Sequence, residues 1–192
     1  MKLFPPSALL ALGLTLVGSY FPAVFAADPA LETADPNAVV LGFETGDWKG
    51  IELSTDHVKT STHSGLWKDH PVNKSVSSGK ILHDWSGFNE MRLWIYNAGK
   101  SPISVMVVLV SQSDRNTFSY FGYRLTVDWD GWKELSIPFT SFQPNRDPVG
   151  WQTIDSVIFA AEGWSIKPDP DAVLYLDGLT LRHHAADAAP KK

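Results

Sequence analysis

The chain has 192 residues, of which 44% are hydrophobic and 19% are charged. This composition is typical of a globular protein and excludes a disordered or fibrous chain. The absence of cysteine excludes both a disulfide scaffold and a lipid-modified N-terminal cysteine. A net charge of -5 argues against a nucleic-acid-binding protein.

The N-terminal residues 1–26 have the pattern of a secretory signal peptide. Lys2 precedes an apolar run over residues 8–17, and Ala26 provides the small residue expected before the cleavage site. Cleavage there would leave about 166 residues with 15 basic against 21 acidic side chains, a net charge of -6. No later run approaches the roughly 18 apolar residues that a membrane span needs, so we expect no membrane insertion after cleavage. The pattern therefore predicts a secreted or periplasmic protein.

The mature chain divides into one domain and two short ends. Residues 27–37 are rich in Ala, Pro and Asp and predict a disordered linker, and residues 182–192 predict a disordered tail. The folded domain is therefore predicted over residues 38–181. This length suits a single domain with a substantial hydrophobic core.

Short apolar segments separated by turn residues indicate an all-β domain. Turn-forming sequences such as Asp130-Gly131 stand between them, and no segment has the periodicity of an amphipathic helix. Many short strands without intervening helices predict an antiparallel β-sandwich or jelly roll. The predicted strands are residues 39–43, 91–96, 104–110, 118–127, 132–137, 157–159 and 173–176.

Alternation within the strands separates core from surface. In residues 91–96, Met91, Leu93 and Ile95 share one face and are expected in the core. The opposite face of that strand would carry an arginine and two aromatic rings. Residues 104–110 are apolar on both faces and predict a central strand.

Several motifs follow one another in an order that resembles a known kind of β-sandwich. They are Phe43-Glu44, Gly46-Asp47-Trp48, His63-Ser64-Gly65-Leu66-Trp67, Gly131-Trp132, Ile154-Asp155-Ser156 and Leu176-Asp177-Gly178-Leu179. This order resembles the galactose-binding-like jelly roll. Within that fold it is similar to family 11 carbohydrate-binding modules, the complex I intermediate-associated domain and the N-terminal domains of some polysaccharide lyases. The resemblance implies an exported, non-catalytic protein that binds a polysaccharide or oligosaccharide.

The same resemblance implies a structural Ca²⁺ ion. In many such modules the ion is held by a carboxylate after the first strand, by carbonyl groups of an early loop and by an aspartate in the last strand. The matching residues are Glu44 and Asp177, with carbonyl groups expected near residues 63–65. A hard ion bound by oxygen atoms between the chain ends would stabilise a domain that has no disulfide. The alternative is that both carboxylates cap turns or pair with basic residues.

A sugar-binding surface needs exposed aromatic rings and polar side chains that can pair with hydroxyl groups. We expect the rings and guanidinium groups of two strands to share one face, with a carboxylate beyond a third strand. Trp67 and Trp85 are further expected at the rim. The predicted ligand-binding residues are Arg92, Trp94, Tyr96, Tyr120, Arg124 and Glu162.

Two other classes of function stay open from the sequence. A small secreted polysaccharide lyase or hydrolase needs only two suitably placed groups, although the chain has no Gly-x-Ser-x-Gly or His-Glu-x-x-His motif. A protein-interaction or assembly sandwich would require a contiguous apolar patch instead of a polar-edged surface. If the chain is a binding module, a separate carbohydrate-active enzyme is an expected partner.

Overall fold

The computed structural model describes residues 39–99, 102–114 and 116–183. The predicted signal peptide, the predicted linker and residues 184–192 of the predicted tail lie outside these residues. Within the described part, the chain forms eleven strands and one 3₁₀ turn, Phe139–Ser141. The strands are β1 Val39–Val40, β2 Glu52–Ser54, β3 Ser64–Lys68, β4 Ser75–Ser78, β5 Glu90–Asn97, β6 Ile103–Val110, β7 Tyr120–Val127, β8 Gly131–Pro138, β9 Gln143–Asn145, β10 Ser156–Ala160 and β11 Val173–Arg182.

The strands form two antiparallel sheets. The first sheet has the order β2-β3-β11-β5-β8, and the short β1 also pairs with β11. The second sheet has the order β4-β10-β6-β7-β9. The predicted antiparallel β-sandwich is therefore confirmed. Within the described residues, no helix is long and apolar enough to cross a membrane.

The core lies between the two sheets and follows the alternation of the strands. Met91, Leu93 and Ile95 of β5 are buried there, as the sequence predicts. The opposite sheet contributes Val107 of β6 and Phe159 of β10, among others, to the same cluster. Burial of these side chains provides the main stabilisation of a domain that has no disulfide.

Two tryptophans that were expected at the rim are core residues. Trp67 and Trp85 are both 0% exposed, so the prediction for them is wrong. Each indole N–H donates to a nearby backbone carbonyl, of Asn73 and Leu82 respectively, at 2.7 Å. These hydrogen bonds let the large rings be buried without an unsatisfied donor.

The middle strand of the second sheet is apolar on both faces. β6 lies between β10 and β7, which confirms the predicted central strand. Val107 and Leu109 face the core, whereas Val108 and Val110 belong to a second hydrophobic cluster. Because side chains alternate along a strand, this second cluster lies on the outer face of the sheet. Something other than the sandwich core must cover it.

Candidate functional site

The predicted ligand-binding residues lie on two opposite surfaces. We call the outer face of the five strands β4, β10, β6, β7 and β9 the five-strand face, and the outer face of the other sheet the six-strand face. Tyr120 and Arg124 are on β7 and belong to the five-strand face, whereas β5 belongs to the other sheet. The expectation that both strands share one face is therefore wrong. The residues on the six-strand face are Arg92, Trp94 and Tyr96.

An aromatic group stands on the five-strand face. The Trp164 indole N–H donates to the Tyr120 hydroxyl oxygen at 2.6 Å, and the two rings meet edge to face with centroids 5.9 Å apart. The centroid of the Phe118 ring lies 5.2 Å from that of Tyr120, and Phe118 is 38% exposed. These three rings are outside the sandwich core; Phe118 is exposed, Trp164 is half-buried, and Tyr120 is buried beneath them.

The turn that carries Trp164 is tight and unusual for its sequence. Gly163 and Ile166 form a bridge, closed by a hydrogen bond from the Ile166 N–H to the Gly163 carbonyl at 2.7 Å. Trp164 and Ser165, between them, have φ values of 50° and 64°. Two successive left-handed residues form the type I′ geometry, which favours asparagine and glycine. A bulky tryptophan at this position stores backbone strain.

Backbone strain is concentrated around the five-strand face. Five non-glycine residues in the described part have positive φ, and four of them surround this face. Besides the two turn residues, they are Phe118 and Arg146, with φ values of 45° and 58°. Strained residues of this kind cluster at binding and catalytic sites, because only function or surrounding structure maintains them.

The Trp164 turn covers the second hydrophobic cluster. Trp164 and Ile166 pack against Met106, Val108 and Ala160, and with Tyr120 they shield these outward side chains from water. Gly122 makes room for this packing. A Cβ built at Gly122 would lie 2.5 Å from the Met106 Cε and 3.2 Å from the Tyr120 Cε2.

Polar pockets open at both sides of this aromatic group. One of about 530 Å³ lies over β4 and β10, and Ser77, Ser156 and Ile158 line it with Asp47 and Lys49. The other, of about 410 Å³, is lined by Ser113, Thr117, Ser119, Arg146 and Asp147. The register joins Ser156, Val110, Tyr120 and Asn145 in one row across the sheet. With strands about 4.8 Å apart, the face is about 19 Å wide from β4 to β9.

The charged residues predicted for this surface are held by neighbours. The Arg124 guanidinium donates to the carbonyl oxygen of Trp164 and so supports the turn. Glu162 follows β10, points outward as expected, and forms an ion pair with Lys74 at 2.8 Å. Both side chains therefore lie beside the aromatic group, as part of its rim.

The six-strand face carries a second set of rings. His57 stacks on Tyr96 with centroids 3.9 Å apart and contacts Tyr175 edge to face at 4.6 Å. Trp132 of β8 meets Tyr96 at 5.3 Å and Trp94 at 6.5 Å. The loop that provides His57 thus covers part of this surface.

Arg92 does not stand free beside these rings. Its Nε donates to the carboxylate of Glu90 at 2.5 Å, and the Ser136 hydroxyl donates to the same oxygen at 2.7 Å. Glu90 is fully buried. The arginine therefore neutralises a buried carboxylate, which gives it a structural role in the sheet.

The two predicted metal ligands, Glu44 and Asp177, both bind the loop of residues 59–62 through hydrogen bonds. Asp177 accepts hydrogen bonds from the backbone N–H groups of Lys59 and Thr60, at 2.6 Å and 3.0 Å. Glu44 accepts from the hydroxyl groups of Ser61 and Thr62, and these bonds lower the pKa of its carboxyl group from 4.5 to about 2. The Ser61 hydroxyl also lies 3.4 Å from Asp177, so it links the two carboxylates.

The oxygen atoms around this loop are of the chemical types that bind a hard cation. Two carboxylates, three hydroxyl groups and the His63 carbonyl, which is 3.3 Å from the Ser61 hydroxyl, come together there. Ca²⁺ prefers oxygen ligands of these types. Among residues 39–99, 102–114 and 116–183, no group of three or more His, Cys, Asp or Glu side chains is placed to hold a metal. A cation here would therefore depend on hydroxyl and carbonyl oxygens in addition to Glu44 and Asp177.

The sequence prediction missed Trp164 and Phe118 as surface rings. Trp164 follows a buried strand and precedes a proline-rich segment, which is also the pattern of a residue that closes a sandwich. The sequence Gly163-Trp164-Ser165 was the available signal, because a tryptophan inside a tight turn has little chance of reaching the core.

Comparisons with known proteins give matches among solved structures. No family model matches the chain, and no curated protein matches it. A family 11 carbohydrate-binding module from Clostridium thermocellum, solved with a β-1,3-1,4-mixed-linked tetrasaccharide, is 19% identical, with a TM-score of 0.55 over 76% of this chain and 95% of that one. A family 11 module of a cellulosomal cellulase of the same organism is 20% identical, with a TM-score of 0.51 over 77% and 95%.

A family 30 carbohydrate-binding module is also similar, at 13% identity and a TM-score of 0.51, over 79% of this chain and 82% of that one. At these identities the likeness concerns the fold. The resemblance seen in the motifs is confirmed at that level. The chain has the antiparallel β-sandwich fold of family 11 and family 30 carbohydrate-binding modules.

Proposed function

We propose that this protein binds a neutral polysaccharide through the five-strand face. The observation that carries the proposal is the aromatic group of Phe118, Tyr120 and Trp164, which lies outside the sandwich core, with Phe118 and Trp164 on strained backbone. Sugar rings present apolar C–H surfaces that pack on aromatic rings, and their hydroxyl groups pair with polar side chains at the rim.

The length and polarity of the face suit an extended chain. Pockets with serine, threonine and charged side chains flank the rings on both sides, along a face about 19 Å wide. A glycan lying across the strands would contact the rings at its middle and the pockets at its ends. Solved proteins of this fold include one in complex with a mixed-linked tetrasaccharide, which supports an oligosaccharide ligand.

The charges of the face favour a neutral ligand over an acidic one. Lys74 is paired with Glu162, and Lys80 is paired with Asp47 at 2.7 Å. The Arg124 guanidinium is engaged by the Trp164 carbonyl. A net charge of -5 also repels a polyanion, so hydroxyl groups are better partners than carboxylates.

The proposal includes export and a non-catalytic role. The pattern of residues 1–26 supports secretion or a periplasmic location, with a separate carbohydrate-active enzyme as partner. Recovery of the mature protein outside the cytoplasm with Ala27 at its N-terminus would support the first part. A purely cytoplasmic, full-length chain would refute it.

We further propose that Glu44 and Asp177 hold a structural Ca²⁺ ion. When bound, the ion would supply positive charge that ties the first loop to the last strand. The convergence of carboxylate, hydroxyl and carbonyl oxygens on the Ser61 hydroxyl supports the assignment. Glu44 and Asp177 orient the loop of residues 59–62, which crosses the six-strand face.

Affinity electrophoresis tests the binding proposal. The mature protein is run in gels that contain neutral glucans, xylans or acidic polysaccharides, and the same mixtures are assayed for new reducing ends and unsaturated products. We expect retardation by a neutral polysaccharide without products. Trp164→Ala should strongly reduce the retardation, whereas Trp129→Ala, on the loop between β7 and β8 and in contact with β5 of the other sheet, should leave it unchanged.

Other outcomes would favour the alternatives. New reducing ends or unsaturated sugars would show a hydrolase or lyase and would refute the non-catalytic role. Retardation only by acidic polysaccharides would refute the neutral ligand. No retardation by any polysaccharide would refute carbohydrate binding and favour a protein-interaction sandwich.

A further inference from the structure

Another cavity lies on the six-strand face, on the other side of the sandwich from the aromatic group of the five-strand face. Its volume is about 250 Å³. It is lined by Gly42, by Glu44, Thr60, Ser61 and Asp177 of the proposed calcium site, and by Trp94, Glu134, Gly178, Thr180 and Arg182. The last five lie on β5, β8 and β11, which are neighbours in the six-stranded sheet. None of them belongs to the five-strand face.

Trp94 forms an aromatic wall of this cavity. The Lys59 ammonium nitrogen lies 4.5 Å from the centroid of its ring, and the Trp132 ring meets it edge to face. A Cβ built at Gly178 would lie 3.2 Å from the Trp94 Cδ1 and 2.9 Å from the Thr60 Cγ2. Gly178 has φ of 59° in the bulge of β11. The bulge therefore lets the indole lie close against the backbone, with its position fixed from three sides.

The polar groups of the cavity have both charges. Glu134 is exposed and stands directly opposite Trp94 in the register of β5 and β8. Arg182 and Thr180, from the end of β11, line the same space. A carboxylate accepts hydrogen bonds from hydroxyl groups, a guanidinium donates to them, and a threonine hydroxyl does both. Glu44 and Asp177, which also line the cavity, accept hydrogen bonds from the loop of residues 59–62, and the remaining polar set suits an uncharged ligand with several hydroxyl groups.

We propose that this cavity is a second saccharide site, which takes one sugar residue or the end of a neutral glycan against Trp94. Its volume is just below the roughly 300 Å³ at which small-molecule pockets begin, which limits the ligand to a small unit. The sugar would take the place of the Lys59 ammonium over the indole, while Glu134 and Arg182 pair with its hydroxyl groups.

This site would add to the proposed function in a specific way. The two saccharide sites would lie on opposite faces of one sandwich, so a single molecule could hold two glycan chains or two parts of one chain. Linking two weak sites in this way increases overall avidity for a polymer but not for a short oligosaccharide.

Calorimetric titration tests the inference. The full protein and its variants are titrated with the β-1,3-1,4-mixed-linked tetrasaccharide, the compound bound to a similar solved module. We expect two molecules bound per chain. Trp164→Ala should remove one, Trp94→Ala should remove the other, and the double variant should bind none. Glu134→Gln should weaken the second site about tenfold.

A matched variant controls for changes on the same face. Glu52 is an exposed carboxylate of β2 that pairs with Lys68 at 3.0 Å, outside the cavity. Glu52→Gln should leave both sites unchanged. Unfolding midpoints of all variants should stay close to wild type, and Trp94→Phe should retain part of the binding if the indole serves as a packing surface.

The outcomes separate this inference from the proposed function. One molecule bound, lost in Trp164→Ala and retained in Trp94→Ala, would overturn the second site and leave the first. Binding lost in Trp94→Ala but retained in Trp164→Ala would support the cavity and overturn the five-strand face. No heat from the wild-type protein would overturn the second site, and affinity gels would then decide the first separately.

Discussion

His70 should make the stability of this protein fall in mild acid. The residue is 0% exposed, its ring lies 4.2 Å from the Trp67 ring, and neither ring nitrogen has a hydrogen-bond partner among the described residues. Burial lowers the pKa of the imidazole from 6.5 to about 4, although the nearby carboxylates of Asp69 and Asp169 act in the opposite direction.

The direction of the effect follows from the two pKa values. Above pH 6.5 the imidazole is neutral in both folded and unfolded chains, so it contributes no pH dependence. Between pH 6.5 and about 4 the unfolded chain gains a proton that the folded chain does not, and the free energy of unfolding falls. At 1.36 kcal/mol per pKa unit, the loss reaches about 3 kcal/mol at most. That is a large part of the 5–15 kcal/mol typical of a domain.

Urea unfolding at pH 7.5, 5.5 and 4.0 would measure the effect. Carboxylates also titrate over this range, so the informative quantity is the difference between wild type and His70→Leu. We expect His70→Leu to lose about 3 kcal/mol less than wild type between pH 7.5 and 4.0, a difference that reflects the missing titration. Parallel pH profiles for wild type and His70→Leu would refute the reasoning.

Three further predictions concern the sheet, the metal and the ion pairs. Gly122→Ala should destabilise the fold by only about 1 kcal/mol, because the flexible Met106 can move, yet weaken glycan binding by displacing Tyr120; unchanged retardation in gels would contradict this. A chelator should lower the thermal unfolding midpoint of the wild-type protein, and added Ca²⁺ should restore it. The midpoint of Glu44→Gln should respond to neither. An equal response of wild type and Glu44→Gln would show that Glu44 does not hold the ion. Glu90→Ala should lower the free energy of unfolding by about 3 kcal/mol, because it leaves the half-buried Arg92 charge without this carboxylate. Glu52→Ala, in an exposed pair, should lower it by less than about 1 kcal/mol. Equal losses of the two variants in urea unfolding would argue against the buried pair.

The fold could be predicted because the alternation of apolar and polar residues along a strand indicates which side chains are buried. Met91, Leu93 and Ile95 alternate with larger polar and aromatic residues, and the structure buries them. Four strands were missed for local reasons. β4 is Ser75–Ser78, three serines and one valine, and β9 contains Pro144, which disfavours a strand within a sheet. Neighbouring strands and sheet edges determine these segments more than their own propensity does.

The candidate surface could be predicted only in part. Alternation showed that Trp94 and Tyr120 leave the core, but it cannot show which sheet a strand joins. β5 pairs with β8 and β11, and β7 pairs with β6 and β9, so the two rings lie on opposite faces. Assignment to a sheet depends on pairing between segments far apart in the chain. Trp164 was missed for a related reason, because only the folded turn brings it to Tyr120.

The most direct test of carbohydrate binding at the five-strand face uses the indole N–H resonances as position reporters. The ¹⁵N-labelled protein is titrated with the neutral polysaccharide fragment that binds best in affinity gels. The Trp164 resonance should shift and saturate, because its N–H bonds to the Tyr120 hydroxyl within the proposed site, whereas the fully buried Trp67 and Trp85 should not move. A saturating titration that leaves Trp164 unchanged would contradict the assignment of the binding surface.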